Sequence, residues 1–442
     1  MLKRKVELRF EEWLANAPGK ALLVKGARQV GKTFLIEAFA KEHFEHVVKF
    51  DMIEQTQVRE SFAAAIDADD LFLRMSVAAS APMVAGRTVV IIDEVQRCPQ
   101  VMTLIKYLLR RDGFRFILSG SLLGVQLENI DSLPVGYITQ VDMHPLDFEE
   151  FCWACGAAAE VVDAARKAVC GGGALPDFLY NRLMTLFHRY LIVGGMPDAV
   201  NAFLATGNLD EVRRVHADIH ALYRDDITKY APRELRALLR DIYTLVPSEA
   251  GSKNKRFKLS SLAGVKRFSQ VTDHFVWLSG AGVVLSIYNV TAPVSPLLAS
   301  EQRNLFKLFY LDVGMLMSAY PKKVSQHLFD GVSGADDMNL GAVYESFVAQ
   351  EFAARNLGLR YFTSKKVGEL DFLIEDGMGD ITAVEVKSGG EYMSHAALDN
   401  ALKTPGYGIS HAVVLAETNV AESGGIEYLP VFAAGFLADE MM

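Results

Sequence analysis

Cysteine is scarce in this sequence, which has four in 442 residues. A disulfide framework is therefore excluded. Cys152 and Cys155 form one C-x-x-C, but a zinc site needs a second pair of ligands at similar spacing, and the sequence offers none. We therefore predict that these two residues, together with Cys98 and Cys170, are ordinary buried thiols.

Long uncharged apolar runs are also missing. No stretch of about 18 apolar residues occurs, so no transmembrane helix and no membrane partner are predicted. The N-terminal residues MLKRKVELRFEEW are basic but have no apolar core behind them, so no secretory signal is predicted either. Together with the few cysteines, these features lead us to expect a reducing cytoplasm.

Positive charge is in the minority. The chain has 45 lysines and arginines against 54 aspartates and glutamates, a formal net charge of -9. The surface as a whole is therefore no polycation, and any binding of nucleic acid has to come from a local patch. Half of the residues are hydrophobic, which is enough for packed cores, and the length suggests about three domains at roughly 100–200 residues each.

Short apolar runs alternate with helical patterns over residues 1–150. The runs are KALLVKG (20–26), HVVKFD (46–51), TVVIIDE (88–94) and FRFILSG (114–120). Buried parallel strands have this continuous apolar character. The strand–helix–strand order predicts a doubly wound α/β domain.

The remainder of the chain changes character several times. Residues 151–175 predict a lid segment and a loop, and residues 176–250 have the three- and four-residue apolar spacing of helices. Two short helical stretches and the strand VVLSIYNV follow within residues 251–295. Residues 296–303 suit a linker, and residues 304–442 mix a helix with strands.

The junction between the first strand and its helix has the pattern G-x-x-x-x-G-K-[ST]. It reads Gly26-Ala27-Arg28-Gln29-Val30-Gly31-Lys32-Thr33. Its glycines let backbone N–H groups point at phosphates, and the helix adds its positive N-terminal end. Lys32 is predicted to contact the β- and γ-phosphates, and the Thr33 hydroxyl to ligate Mg²⁺. The motif therefore predicts binding of a nucleoside triphosphate, ATP, with Mg²⁺.

Two acidic residues follow the run Val89–Ile92. Asp93 comes at the carboxyl end of this strand, where ligands bind in such sheets, and is predicted to hold Mg²⁺ directly or through water. Glu94 beside it is predicted to act as the general base on the attacking water. Ser119 and Ser121 end the next strand, where they either sense the γ-phosphate or are ordinary strand-end hydroxyls.

Several segments together resemble a known family. GARQVGKT, IIDEVQ, ILSGS, HPLDFEEF (144–151) and YLIVGGMPDAV (190–200) are similar to those of AAA-type ATPases with a C-terminal domain of unknown function 4143. The segments are spread over essentially the whole chain. The resemblance implies an ATP-binding protein and leaves its biological role open.

One position departs from that family. Many members carry Gly-Arg before the Pro-Leu-x-Phe motif, which implies an arginine finger toward a neighbouring subunit and hence an oligomer, but this chain has Gly136-Tyr137. A finger accelerates hydrolysis by roughly 10³–10⁵ where it exists. Either Arg28 or Arg97 serves instead, or hydrolysis is slow and the protein is switch-like.

A basic stretch lies within residues 251–272, which contain no acidic residue. Its members are Lys253, Lys255, Arg256, Lys258, Lys266 and Arg267. SSLAGV (260–265) and FSQVTDHFVWLSGAG (268–282) predict two helices of a winged helix with VVLSIYNV as its wing, as the resemblance also implies. Such a patch is typical of DNA binding. The alternatives are a solvated basic face and a module that docks other protein domains.

The C-terminal region resembles the PD-(D/E)xK nuclease core. Asp371 lies in the predicted strand GELDFLIE, Glu385 and Lys387 in AVEVK, and Glu345 in the helix YESFVAQEF. Alternation puts Glu385 and Lys387 on one face. A carboxylate pair there suits Mg²⁺, with Lys387 orienting the attacking water. The alternative is an idle fold used for binding, in which Lys387 neutralises the carboxylates.

The sequence therefore predicts an α/β protein. Its parts are a P-loop ATPase core (1–150), a helical lid (151–250), a winged-helix-like module (251–295) and a restriction-endonuclease-like domain (304–442). The leading hypothesis is a Mg²⁺-dependent ATPase that acts on DNA. The alternative is a regulatory switch whose bound nucleotide sets how the C-terminal domain engages a protein partner, without nuclease activity.

Overall fold

The computed structural model describes residues 2–17, 19–121, 136–252, 256–331 and 340–442. The chain divides into two compact units. The N-terminal unit is Arg4–His144 with Gly280–Gly282, and the C-terminal unit is Met1–Lys3, Pro145–Ser279 and Val283–Met442.

A parallel sheet forms the centre of the N-terminal unit. Its strands are β1 (Ala21–Lys25), β2 (His46–Asp51), β3 (Thr88–Asp93), β4 (Phe114–Gly120) and β5 (Ile138–Asp142). They lie in the order β2-β3-β4-β1-β5, and every pair is parallel. The helices of this unit are α1 (Glu7–Asn16), α2 (Lys32–His43), α3 (Thr56–Ala63), α4 (Ala68–Ala78) and α5 (Pro99–Leu108). The predicted strand–helix alternation is confirmed, with β5 as one strand more than the apolar runs indicate.

The apolar runs become buried strands because helices cover the sheet. All six residues of β3 are buried. Side chains of β1 to β4 pack with those of α3, α4 and α5 in one hydrophobic core. Since the strands are parallel, their carboxyl ends meet at one edge, which brings the loop after β1 close to the end of β3.

Helices fill the first part of the C-terminal unit. They are α6 (Phe148–Ala154), α7 (Ala159–Cys170), α8 (Asp177–Val193), α9 (Pro197–Thr206), α10 (Leu209–Tyr230) and α11 (Arg236–Ala250). Residues 176–250 are thus helical, as predicted. Much of the segment predicted as a lid and a loop is the helix α7, which buries Val162, Ala165 and Val169 at helical spacing.

The motif HPLDFEEF begins helix α6 with a capping box. The Asp147 carboxylate accepts a hydrogen bond from the Glu150 N–H, and the Glu150 carboxylate accepts one from the Asp147 N–H. Asp147 also pairs with Arg355, whose Nη2 lies 3.2 Å from Oδ2. In the motif YLIVGGMPDAV, the Gly195 N–H donates to Asp312 Oδ2 at 2.6 Å. Both motifs therefore stabilise the C-terminal unit.

A second, mixed sheet of eight strands completes the C-terminal unit. Its strands are β6 (Val284–Val290), β7 (Glu301–Tyr310), β8 (Arg360–Ser364), β9 (Gly368–Glu375), β10 (Ile381–Val386), β11 (Ile409–Ala416), β12 (Ala421–Ser423) and β13 (Ile426–Pro430). Their order is β12-β13-β11-β10-β9-β8-β6-β7. The accompanying helices are α12 (Thr272–Gly280), α13 (Val313–Met317), α14 (Lys322–Asp330), α15 (Gly341–Ala353), α16 (Ala396–Leu402) and α17 (Ala434–Glu440).

The strand predicted as a wing belongs to this sheet. β6 pairs antiparallel with β7 and parallel with β8, so the sheet crosses the predicted boundary between the winged-helix module and the C-terminal domain. The linker predicted at residues 296–303 is a 3-10 turn, Leu297–Ser300, followed by the start of β7. The predicted helix at 260–265 is also wrong: a 3-10 turn, Leu259–Ser261, precedes Gly264, whose φ of +78° interrupts a helix.

Across the described part of the chain, none of the helices combines the length and the apolar character that a membrane span requires.

Candidate functional site

The loop between β1 and α2 has a backbone shape that depends on its glycines. Gly26, Gln29 and Gly31 have φ angles of 147°, 65° and 89°, in the region that favours glycine. A Cβ atom at Gly26 would collide with the carbonyl oxygen of Met143. The loop leads into the first turn of α2, which no side chain caps. Unpaired N–H groups and the positive helix end at this point favour an anion.

Lys32 folds back onto this loop. Its Nζ donates hydrogen bonds to the carbonyl oxygens of Gly26, at 3.0 Å, and Ala27, at 2.8 Å. Burial lowers the pKa of Lys32 to about 8, although the charges of Glu94 and Asp93 act in the opposite direction. The ammonium is therefore held where phosphates are predicted to bind, with an unusually labile proton.

Asp93 connects three segments at the edge of the sheet. Thr33 Oγ1 donates to Asp93 Oδ2 at 2.7 Å, and Ser119 Oγ donates to Asp93 Oδ1. Asp93 and Ser119 are both buried. The predicted metal ligands Thr33 and Asp93 are thus in direct contact, and their hydroxyl and carboxylate oxygens are ligands that suit Mg²⁺.

Glu94 is held by two donors. Ser121 Oγ donates to its two carboxylate oxygens at 3.0 and 3.2 Å, and Gln96 Nε2 donates at 2.5 Å. Glu94 itself adopts a left-handed backbone with φ of 53°. Arg28 Nε lies 3.4 Å from Ser121 Oγ. The structure therefore brings the predicted base, the predicted sensor serine and a P-loop arginine together.

The sequence reasoning missed two residues near Asp93. Gln96 lies in the quoted segment IIDEVQ, and its contact with Glu94 adds a third side chain of that segment to the site. Lys49 lies on β2, with Nζ 2.7 Å from Glu37 Oε1 and 3.9 Å from Asp93 Oδ2. The sequence did contain a signal for Lys49, because a lysine interrupts the otherwise apolar run HVVKFD.

Three residues bear on the predicted arginine finger: Tyr137, Arg28 and Arg97. Tyr137 is 39% exposed and follows residues 122–135, which lie outside the described part of the chain. Arg28 reaches the site through Ser121, whereas Arg97 ends the 3-10 turn after Glu94. A role for either arginine in hydrolysis stays a prediction.

The C-terminal carboxylates also come together. In the antiparallel register of β9 and β10, Glu385 and Asp371 follow the pair of Val384 and Phe372, so their side chains share one face. The Val386 N–H donates to Asp371 Oδ2 at 3.0 Å, and Lys387 Nζ donates to Glu385 Oε1 at 2.8 Å. Burial, followed by the charge of Asp371, raises the pKa of Glu385 to about 8. Glu385 therefore carries a proton at neutral pH.

A lysine that sequence reasoning missed lies at the centre of this cluster. Lys307 Nζ, on β7, lies 3.1 Å from Glu345 Oε2, 2.8 Å from Glu369 Oε1 and 3.5 Å from Asp371 Oδ1. Lys307 is 0% exposed. Burial by itself lowers its pKa, but the three carboxylates outweigh burial and raise the pKa of Lys307 well above its usual value. Lys307 is therefore charged, and it supplies the positive charge that the sequence analysis assigned to Mg²⁺ or to Lys387.

The described residues do not favour a metal in this cluster. Among them, no group of three or more His, Cys, Asp and Glu side chains is arranged to hold a metal ion. Both oxygens of Asp371 already have partners, Lys307 and the Val386 N–H. The residues therefore do not fit the divalent ion that a nuclease would need.

The basic stretch is only partly within the described chain. Lys253 and Lys255 lie outside the described residues, and Arg256 is half-buried. The remaining three members, Lys258, Lys266 and Arg267, are exposed.

Three family models match consecutive parts of the chain. Residues 18–152 match an AAA domain, residues 184–326 a domain of unknown function (DUF8612), and residues 340–432 another domain of unknown function (DUF4143). The first match contains the whole sheet of the N-terminal unit and the P-loop. The second extends across the segments predicted as separate lid, winged-helix module and linker. A search of curated proteins finds no matching sequence.

Several solved structures match this chain along much of its length at low sequence identity. The Walker-type ATPase of Pyrococcus abyssi is 16% identical, with a TM-score of 0.43 over 72% of this chain and 95% of that chain. The ORC1 protein of Aeropyrum pernix, in complex with DNA, is 12% identical, with a TM-score of 0.31 over 75% and 93%. AMPPCP-bound DnaA from Aquifex aeolicus is 10% identical, with a TM-score of 0.29 over 63% and 89%.

The pKa of Lys32 predicts proton uptake on ATP binding. With a pKa of about 8 in the nucleotide-free site, Lys32 is charged below pH 8 and increasingly neutral above it. Phosphates favour the charged form, so ATP binding at pH 8 should take up about half a proton, and affinity should fall as pH rises further. Calorimetric titration in buffers of different ionisation enthalpy measures this uptake. Lys32→Arg stays charged and should take up none; equal uptake by both proteins would assign the proton to another group.

The Lys307 cluster predicts a large and pH-dependent stability loss. Lys307→Met leaves buried carboxylates uncompensated, so the free energy of unfolding at pH 7 should fall by about 3–5 kcal/mol. The unpaired carboxylates then have raised folded-state pKa values, whose stabilising effect is lost as pH rises, so the loss should be smaller at pH 5 than at pH 8. Urea unfolding measures it.

The control for this variant is Lys387→Met, whose partner Glu385 is already protonated at neutral pH. Lys387→Met should lower the free energy of unfolding much less than Lys307→Met does. Equal losses in the two variants, or stabilisation of the parent protein by Mn²⁺ that disappears in Asp371→Asn, would contradict the assignment of Lys307 as the internal cation.

Proposed function

We propose that this chain, whose residues 18–152 match an AAA domain, uses Mg²⁺-dependent ATP hydrolysis to act on DNA. The observation that carries the proposal is the contact of Thr33 with Asp93 beside Lys32, at the carboxyl edge of a parallel sheet. The proposal for DNA has separate support, which is the group of exposed basic residues at 258–267.

In the proposed complex, the N–H groups of residues 26–33 surround the phosphates. Lys32 leaves the carbonyls of Gly26 and Ala27 to contact the β- and γ-phosphates. Thr33 and Asp93 would hold Mg²⁺, which when bound offsets the charge that develops on the phosphates. Because these side chains already touch, the ion needs only a small rearrangement of them.

Glu94 is the proposed general base, and its present contacts suggest how it is restrained. Ser121 and Gln96 both donate to Glu94, so two hydrogen bonds fix the position of its carboxylate. Ser121 is also the proposed sensor of the γ-phosphate. If its hydroxyl turns to ATP, Glu94 loses one donor and becomes free to accept a proton from water.

Glu94→Gln should separate binding from chemistry. Glutamine keeps the size and the hydrogen-bonding capacity but accepts no proton, so ATP should bind within a few-fold of the parent while hydrolysis falls by roughly 10²–10⁴. Phosphate release and ATP titration measure the two quantities. As a control, Lys32→Ala should lose binding itself. Equal loss of binding and turnover in Glu94→Gln would remove Glu94 from the catalytic role.

The proposed DNA surface is local, as the acidic net charge requires. Lys258, Lys266 and Arg267 are exposed within a segment free of acidic residues, on a chain whose formal net charge is -9. Phosphate contacts need only such a patch. Lysine and arginine contacts of this kind release counterions from DNA, which makes binding depend steeply on salt.

Replacing these three residues with serine should weaken DNA binding and flatten its salt dependence. Each lost phosphate contact should reduce the log–log slope by about one. The matched control replaces Arg110, Lys229 and Lys403, which are exposed elsewhere, and should leave the slope unchanged. Fluorescence anisotropy across a salt series measures both. A parent protein without DNA binding, or equal slopes in both triple variants, would contradict the DNA proposal.

The second candidate is a nucleotide-dependent switch that binds a protein partner through the C-terminal unit without cutting DNA. The observation that favours it is Lys307, whose ammonium leaves no evident need for a metal among the nuclease-like residues. ATPase rates with and without linear, branched and single-stranded DNA separate the two candidates. Stimulation by DNA supports the first, and an unchanged rate supports the second.

A further inference from the structure

A cavity of about 470 Å³ lies in the C-terminal unit, away from the carboxylate cluster. One wall comes from the corner that joins α9 to α10, at residues 207–213. The other comes from the first two turns of α14, at residues 322–329. Three cationic side chains and one carboxylate line the cavity, so its net charge is positive.

The positive end of helix α14 is not offset within the helix. Its first two residues are Lys322 and Lys323, its first turn has no acidic residue, and Pro321 provides no side-chain cap. Lysine at a helix N-terminus opposes the helix dipole, where an acidic residue or an anion would stabilise it. Asp210 pairs with Lys322 at 2.5 Å, but both side chains are more than half exposed. This pair therefore offsets little of the positive charge at the start of α14.

Two hydrogen-bond donors at this cavity have no partner among the residues that the structure describes. Arg213 Nη2 donates to the carbonyl oxygens of Ser318 and Tyr320, both at 2.9 Å, whereas its Nη1 is buried and unpaired. Ser325 is only 2% exposed, and its hydroxyl is also unpaired. Buried donors are nearly always satisfied in folded proteins. Two such donors in one cationic cavity indicate an acceptor other than the described residues.

We propose that this cavity binds the phosphate group of a small phosphorylated molecule. Phosphate oxygens match the donors present: Arg213 Nη1, the Ser325 hydroxyl and the N–H groups of the first turn of α14. The volume lies within the roughly 300–1,000 Å³ of small-ligand sites. It leaves room for the group attached to the phosphate, which would contact Phe329 in the wall. The depth of Ser325 favours a small ligand over a DNA strand.

The experiment uses the full chain carrying Lys32→Ala, so that the P-loop does not compete for phosphate. Inorganic phosphate and AMP are the probes, and calorimetric titration is the readout. Both should bind. Lys323→Glu changes an exposed residue that the fold tolerates, and should weaken binding roughly tenfold or more because it reverses a charge at the anion. Ser325→Ala removes one donor and should weaken binding several-fold.

The matched control is Arg214→Glu, which reverses a charge on the same helix as Arg213 at a side chain that is 73% exposed. It should leave the affinity for phosphate and AMP unchanged. No binding at millimolar phosphate or AMP would overturn the proposal, as would equal weakening by Lys323→Glu and Arg214→Glu. Binding of DNA without binding of AMP, abolished by Lys323→Glu, would also overturn it, because the cavity would then be part of a nucleic-acid surface.

Discussion

The carboxylate of Asp93 joins parts of the N-terminal unit that are distant in sequence. Thr33 comes from the first turn of α2, Asp93 from the end of β3 and Ser119 from β4, and they meet because parallel strands end at one edge. A one-residue slip of β3 would move Asp93 to the other face of the sheet. The register of the sheet is therefore a condition on which the whole nucleotide site depends.

The same site is internally satisfied before nucleotide binds. Lys32 donates to its own loop, Glu94 accepts from Ser121 and Gln96, and Asp93 accepts from two hydroxyls. ATP must therefore exchange hydrogen bonds, and an exchange contributes modest net affinity. The affinity then depends on the backbone N–H groups and the helix end, whereas the exchanged side chains can report that nucleotide has bound.

The sequence predicted best where the signal is local. The P-loop lies in eight consecutive residues, and Asp93 and Glu94 follow directly from a buried apolar run. Alternation likewise placed Glu385 and Lys387 on one face. The pairing of β6 with β7 and β8 has no local signal, because an apolar run is compatible with a wing and with a buried strand. Lys307 was missed for the same reason: its partners Glu345, Glu369 and Asp371 become neighbours only when β7 joins the sheet.

The two units each bury carboxylates, and they compensate the charge differently. Asp93 contacts neutral hydroxyls at short range, and the nearest lysine, Lys49, is 3.9 Å away and bound more closely to Glu37. Much of the charge on Asp93 is thus left for an external cation. In the C-terminal unit, Lys307 is covalently part of the chain and cannot leave its carboxylates. A divalent ion there would have to displace a buried ammonium, leaving that charge unpaired at a cost of several kcal/mol. The proposed metal-dependent chemistry therefore belongs to the N-terminal unit, and a binding role is the proposal for the C-terminal one.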